Sequence, residues 1–386
     1  MTIEDGRCRT AAIIGAGPGG LAAAVALAKR NWEVKIFERR EELLPVEGFA
    51  LACFENLLRV LEALDAYEEA IVGATCVRMR QTIRSNGAVV HTLRFSDRHG
   101  NRMFDIARSR ILQALNNAAE RLGVEVCLGT TISQITPRGE VVDSRGNMTQ
   151  YDLVVIANGV FSELPQQIGL QVTKTPLKDG VIRAVLSNSA EGKSAFEEGV
   201  HREIWSRNRR LMLVPYDNGK LFVALSMLVT DTKGRQMPAN KQLWTRSFPL
   251  QGHIIEALPE NQRWDQFFAT TATAWSSGRV AAIGDAVHAQ PPNLGQGAAC
   301  AMMNAVSLAY HVSSDEPISK TLRQWEAAER PLIEHTQRVS RLYGRLLSCP
   351  DSIRATILRA INRSEWLNAQ RQRTARYVPV GLEFKN

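Results

Sequence analysis

Residues 10–38, TAAIIGAGPGGLAAAVALAKRNWEVKIFE, decide how the chain begins to fold. The run at 10–14, rich in isoleucine and alanine, reads as a parallel strand buried on both faces. Gly15-Ala16-Gly17-Pro18-Gly19-Gly20 follows, and then an alanine-rich helix over 21–29 whose small side chains let it lie close to a sheet. A second strand at 33–37 ends on Glu38. Gly15, Gly17 and Gly20 stand at the spacing that dinucleotide binding needs. The first permits a tight turn, the second lets the backbone approach a pyrophosphate, and the third lets helix and strand pack closely. The helix N-terminus there offers free N–H groups and about half a positive charge to phosphates. Glu38 comes about 20 residues on, where a carboxylate can take a ribose hydroxyl. Which dinucleotide is bound stays open at this point.

Beyond this unit, a loop with Pro45 and Gly48 precedes a helix over 56–64. Alternating runs at 77–84 and 88–94 flank Ser85-Asn86-Gly87, a hairpin signal. A helix over 108–122, strands near 124–128 and 141–142, and an apolar strand at 153–157 follow. Between about 172 and 275 the character changes. Strand-like runs at 181–186, 211–214 and 221–225, joined by turns such as Asp217-Asn218-Gly219, read as a mostly antiparallel sheet. The buried-strand pattern returns at 279–283, and from Gly295 on the chain reads mainly as helix. The expected organisation is a discontinuous nucleotide-binding domain (1–171 and 276–345) with an inserted β-sheet substrate domain (172–275), joined by the hairpin near 77–95. A helical segment at 346–386 follows.

A chain of 386 residues exceeds one core, which agrees with an inserted second domain. Its 45% hydrophobic and 22% charged residues are ordinary for a globular protein. No apolar run reaches about 18 residues, and the first residues lack the pattern of a secretory signal, so the expectation is a cytoplasmic protein. Six scattered cysteines, without a C-x-x-C pair or a Cys/His cluster, predict free thiols and no metal site. The net charge of +8 is spread along the chain. Its densest part (Arg354, Arg359, Arg363, Arg371, Arg373, Arg376) lies on an expected helix and reads as a solvated face or subunit contact. No nucleic acid and no membrane is expected, and the assembly is a monomer or homodimer.

A second stretch settles the cofactor. Gly278-Arg279-Val280-Ala281-Ala282-Ile283-Gly284-Asp285-Ala286-Val287-His288, followed by Pro291-Pro292-Asn293-Leu294-Gly295-Gln296-Gly297, resembles the second FAD fingerprint of the class A flavoprotein aromatic hydroxylases. Asp285 at a strand end can accept a hydrogen bond from a ribityl hydroxyl. Gly284, Gly295, Gln296 and Gly297 lie around it, and Gly295 and Gly297 open a helix whose N-terminus can face the flavin N1/C2=O edge. The dipole would stabilise the negative charge of reduced flavin there. The resemblance implies a Rossmann-type FAD-binding domain carrying a mostly antiparallel β-sheet insertion and C-terminal helices, an α/β fold that is α+β overall. It also assigns Arg108 to the FAD pyrophosphate and Asn158 to the family's middle motif, Asp152 to Ser162. Asn158 stands where the family has aspartate, and the arginine usual after the serine is missing. The amide keeps hydrogen-bonding capacity and loses the charge, so FAD binding survives and nicotinamide handling comes into question.

The resemblance is sharper toward the branch of hydroxypyridine-carboxylate oxygenases, through 56–62, 178–183 and 296–305. Asn304 is shared with that branch. By the same alignment Arg210 faces the substrate pocket, and Phe222 replaces a tyrosine, which removes a hydrogen-bond partner for a polar ring substituent. The family's chemistry implies that NADH or NADPH reduces FAD and that a flavin C4a-hydroperoxide then oxygenates a small aromatic or N-heteroaromatic ring. Hydroxylation and ring opening are both open. Pro291, Pro292 and Asn293 are expected over the reactive flavin face, keeping it dry. His288 is a candidate base, although a structural place beside the flavin is the favoured reading. The alternatives are a flavin oxidoreductase with weak or partner-dependent NAD(P)H reduction, and a flavin-binding protein with little catalysis. A flavin halogenase is set aside because its Trp-x-Trp-x-Ile-Pro element is missing around Trp205, Trp244 and Trp275.

Overall fold

In the computed structural model, residues 8–43, 49–187, 197–217 and 219–384 are described. The expected loop at Pro45 and Gly48 and the turn residue Asn218 lie outside them. Seventeen elements position the site. In chain order they are β1 (Thr10–Ile14), α1 (Pro18–Ala28), β2 (Glu33–Phe37), β3 (Met79–Arg84), β4 (Val89–Arg94), α2 (Arg108–Arg121) and β5 (Leu153–Ile156). Next come β6 (Val172–Leu186), β7 (Val200–Ser206), β8 (Arg209–Tyr216), β9 (Lys220–Leu228), β10 (Arg263–Ala272) and β11 (Val280–Ala282). The helices α3 (Gly297–Val312), α4 (Ile318–Arg345), α5 (Asp351–Arg363) and α6 (Glu365–Gln372) close the chain.

The first sheet has six strands in the order Ser276–Ser277, β11, β5, β1, β2, Glu125–Cys127, and all pairs but the first are parallel. Its strands are apolar on both faces, and Ala11, Ala12 and Ile13 are fully buried. The helix α1 packs along the sheet, while Ile132, Ile135 and Val141 of a small antiparallel sheet (Ile132–Ile135, Glu140–Asp143, Met148–Gln150) join the same core. Each large aliphatic side chain buried in this way contributes roughly 1.5–3 kcal/mol. The helix α1 starts at Pro18 rather than at 21, since the fixed φ of proline suits a first helical position. Its glycines and alanines allow close packing on α3, where a Cβ at Gly19 would already be 3.0 Å from that of Ala301.

The second sheet has seven strands in the order β10, β6, β9, β8, β7, β3, β4. Every pair is antiparallel except β7 with β3, because the hairpin of β3 and β4 arrives from an earlier part of the chain and docks as an added edge. The strand β6 runs for fifteen residues, well beyond the expected 181–186. Pro176 and Gly180 make its first half read as a loop. Pairing with β10 overrides that signal, with a register shift between Pro176 and Gly180. The strands β7 and β10 were not legible as strands. One face of this sheet packs Leu211, Val223 and Leu225 against Trp244, Phe248 and Ile254. The opposite face carries Val181, Val214, Phe222 and Phe267 in the same apolar cluster as Ala107, the residue before Arg108.

Candidate active site

Four strand ends meet along the carboxyl edge of the parallel sheet. Ile14 pairs with both Phe37 and Ile156, and Ile156 with Ala282, so Gly15, Glu38, Asn158 and Gly284 all emerge on one side. This is the edge where open α/β sheets bind ligands. Each glycine of the first turn has its own steric reason. Gly15 has φ +107°, and a Cβ there would lie 2.7 Å from the Ala157 carbonyl oxygen. A Cβ on Gly20 would lie 1.9 Å from the Gly15 oxygen. A Cβ on Gly17 would meet nothing within 4 Å among the described residues, so these leave its backbone uncovered at the start of α1. Glu38 is buried beside this turn. Its Oε2 accepts from the Ala16 amide at 2.8 Å, and its Oε1 accepts from the Arg40 amide and Nε. Burial pushes the carboxyl up, but the hydrogen bonds from Arg40 and Ala16 outweigh this and hold it below the ordinary range.

Across the edge, Gly284 turns the chain at φ 62°, ψ −146°. The buried His288 locks this turn: its Nε2 accepts from the Gly284 amide at 2.9 Å, and its ring packs against Trp275. Burial lowers its pKa to about 4, so the imidazole is neutral. Asp285 is open to solvent, yet so closely ringed by protein that burial raises its pKa, with the Arg108 charge acting against the rise. Arg108 at the start of α2 is correspondingly lowered, by burial first and then by Arg40, while Asp285 pulls it up. Arg40, Arg108 and Asp285 therefore share one recess with the glycine turn.

The second loop continues through Pro291 (buried), Pro292 (exposed) and Asn293 (buried), and Gly295 closes it in the left-handed region at φ 67°. Gln296 accepts from Asn56 Nδ2 at 2.8 Å through its Oε1, while its buried Nε2 has no partner among the described residues. A Cβ on Gly297 would meet nothing within 4 Å among the described residues, which leave the N-terminus of α3 uncovered as well. These residues fit an FAD. Two guanidiniums that repel each other, next to an open helix N-terminus, suit a pyrophosphate. Glu38 and Asp285 can accept from hydroxyls. The unpartnered Gln296 amide and the N-terminus of α3 suit the polar edge of an isoalloxazine.

On the substrate side, the sheet face next to Arg108 is apolar. Phe49 and Phe222 rings lie 5.3 Å apart, among Val181, Met212, Val214 and Phe267. Arg183 lies over Phe49 and pairs with Asp265. Arg210 is 3% exposed; both terminal nitrogens of its guanidinium are engaged by protein, while its buried Nε has no partner among the described residues. It donates to Glu203 Oε1 at 3.2 Å, to Ser226 Oγ at 3.4 Å and to Asn293 Oδ1 at 2.8 Å. Asn293 Nδ2 in turn donates to the Ser340 carbonyl at 3.1 Å, and Ser340 Oγ donates to the Pro291 carbonyl at 2.6 Å. The Tyr343 hydroxyl donates to Glu203 Oε2 at 2.7 Å. Arg210, expected to face a substrate, thus tethers the Pro291–Asn293 turn to the sheet and to α4. Sequence reading missed Arg40, Asn56, Glu203, Ser340 and Tyr343. The one available signal was a polar stripe on the buried side of an amphipathic helix, Gln337, Ser340 and Gly344 at three- and four-residue steps.

The sequence profile of the FAD binding domain family matches residues 8–316. A 2-heptyl-3-hydroxy-4(1H)-quinolone synthase of Mycobacteroides abscessus is 34% identical over 356 residues, covering 92% of this chain and 95% of that one. Kynurenine 3-monooxygenase of Xanthomonas oryzae pv. oryzae is 25% identical over 352 residues, covering 83% and 76%. The tetrameric form of 2-methyl-3-hydroxypyridine-5-carboxylic acid oxygenase superposes with a TM-score of 0.85 at 28% identity, covering 98% and 99% of the two chains. Glycine turn, Asp285 loop and inserted sheet together carry this likeness along nearly the whole molecule, and the chain belongs to the FAD-binding family of class A flavoprotein hydroxylases, which are FAD-dependent aromatic monooxygenases.

Proposed function

We propose that this chain inserts one oxygen atom into an N-heteroaromatic ring bearing an apolar substituent, with a 4(1H)-quinolone as the favoured frame. The observation that carries the reading is the apolar wall of Phe49, Val181, Val214, Phe222 and Phe267 beside the FAD recess. Arg183 and Arg210 are both engaged by protein partners, which argues against a substrate carboxylate as the main anchor. The quinolone synthase relative at 34% identity supports the same choice. Forming its 3-hydroxy product with one atom of O₂ requires 2-heptyl-4(1H)-quinolone, O₂ and two electrons from NADH or NADPH, with water as the other product.

FAD, when bound, supplies the electron transfer and the oxygen activation. The protein's own groups bind, orient and exclude water. Gly15, Gly17, Gly20 and Arg108 take the pyrophosphate end, Glu38 and Asp285 accept from hydroxyls, and Gly284, Gly295, Gln296 and Gly297 shape the flavin end. Pro291, Pro292 and Asn293 form the dry cover, held in place by Arg210, and Phe222 walls the substrate. His288 braces the Gly284 turn as a neutral acceptor and takes no proton at working pH. Asn158, exposed beside Gly15, favours one second reading, in which NAD(P)H reduces the cofactor slowly or through a partner. The assembly proposed is a monomer or homodimer, and the NAD(P)H requirement suits the cytoplasm.

The test is NADH and NADPH oxidation by FAD-loaded protein with 2-heptyl-4(1H)-quinolone and with 2-methyl-3-hydroxypyridine-5-carboxylate. Strong stimulation by the quinolone, with a product one oxygen heavier, is expected. A product two oxygens heavier means ring opening. Stimulation by the pyridine acid alone would overturn the apolar-substrate reading, and flavin that stays oxidised with both nucleotides would favour the second reading.

A further inference from the structure

Nine arginines but only two acids lie between residues 338 and 376, so this stretch carries nearly all of the net charge of +8. Arg354 and Arg371 point inward, over the rings of Trp205 and Tyr343. The other seven are exposed, among them Arg341 and Arg345 at the end of α4 and Arg359 and Arg363 on α5. The helix α5 buries Ala355 and Leu358 toward the strand β4 and Trp205. Its outer side is also apolar. Ile353 is 52% exposed and Ile357 36% exposed, and Ala360 is exposed three residues further. Spacings of four and three put them on one stripe, with Arg363 on its flank and Arg359 further round the helix, toward the buried side. Trp366 on α6, just past the turn at Ser364, is 67% exposed, second only to Met148 among the large hydrophobic side chains of the described residues.

A solvated helix face has no use for this apolar stripe. A symmetric contact with a second copy would bring like charges together, and a nucleic acid would use the guanidiniums but not the isoleucines or the tryptophan. Apolar side chains flanked by several arginines, with a tryptophan at the margin, match the chemistry of a bilayer surface rich in anionic headgroups. Among the described residues no helix is long and apolar enough to cross a membrane, so the contact is with the surface. We propose that the surface formed by the end of α4, α5 and the start of α6 docks on an anionic lipid bilayer, with Ile353, Ile357 and Trp366 entering the interface and the surrounding arginines meeting the headgroups.

The experiment is sedimentation of FAD-loaded protein with vesicles of phosphatidylcholine alone or mixed with phosphatidylglycerol. Binding to the mixed vesicles only, weakened by salt, is expected. With each arginine near the surface worth about 1 kcal/mol, Arg359→Gln combined with Arg363→Gln lowers the partition at least about tenfold. Ile353→Ser combined with Trp366→Ser lowers it too, while FAD content and turnover without vesicles stay unchanged in both variants. Three outcomes would overturn the proposal: no binding to mixed vesicles, equal binding to neutral ones, or variants that bind like the parent. So would a dimer that dissociates on Ile353→Ser, which would assign the face to a second copy. Duplex DNA binding that persists after Ile353→Ser and Trp366→Ser, without vesicle binding, would assign it to nucleic acid.

Discussion

A single imidazole shows how a residue reads differently once its neighbours are known. His288 sits where a catalytic base could be sought, but its Nε2 is occupied by the Gly284 amide, and burial holds its pKa near 4 against an ordinary 6.5. The unfolded chain therefore binds a proton between pH 6.5 and 4 that the folded chain refuses. Stability contributed by the neutral imidazole is complete above about pH 6.5 and lost as pH falls toward 4, amounting to about 3 kcal/mol. Melting curves of the FAD-loaded protein across that window should slope downward with acid. His288→Gln, which keeps an acceptor for Gly284 and cannot titrate, should flatten the slope by one proton. An unchanged slope would mean that other groups dominate the acid limb. The motif around His288 was legible, but its protonation state was not, because desolvation is set by the whole surrounding fold.

At the scale of the element, α4 works as a strut rather than a cover. Ser340 and Tyr343 reach the Pro291–Asn293 turn and Glu203, and Gly344 leaves room for Asn293. In an ordinary helix, Gly→Ala gains up to about 1 kcal/mol. Here an alanine Cβ at 344 would stand 2.6 Å from Asn293 Nδ2 and 3.5 Å from Asp179 Oδ2. Gly344→Ala is expected to lower stability by about 1–3 kcal/mol, the cost of overpacking, and to displace the turn. Denaturant melts should show the loss, and turnover should divert to hydrogen peroxide at similar NAD(P)H oxidation. A more stable Gly344→Ala protein with unaltered coupling would refute the strut. Periodicity revealed α4 as a helix, but not which distant turn it braces.

For the whole molecule, the FAD recess is assembled from strand ends that converge from both pieces of the nucleotide-binding fold. FAD should therefore stabilise the entire unit. At free FAD one hundred times its dissociation constant the gain is about 2.7 kcal/mol, rising with the logarithm of concentration. Thermal melts of the apo-protein titrated with FAD read this directly, and adenosine diphosphate, which reaches only the Gly15–Gly20 end, should give a smaller shift. Equal shifts from both ligands would mean that the Asp285 loop contributes nothing to holding the cofactor. The strand–turn–helix units and the glycine turn follow from sequence alone, because φ restrictions and burial periodicity act within a few residues, and the cofactor class follows from the family resemblance of 278–297. Tertiary structure decided the rest. Arg210 and Asn293 are 83 residues apart, and Glu203 and Tyr343 are 140 apart. The apolar wall gathers residues from 49 to 267. Such contacts leave no local pattern, since what makes Arg210 a tether instead of a substrate anchor is the company that folding brings to it.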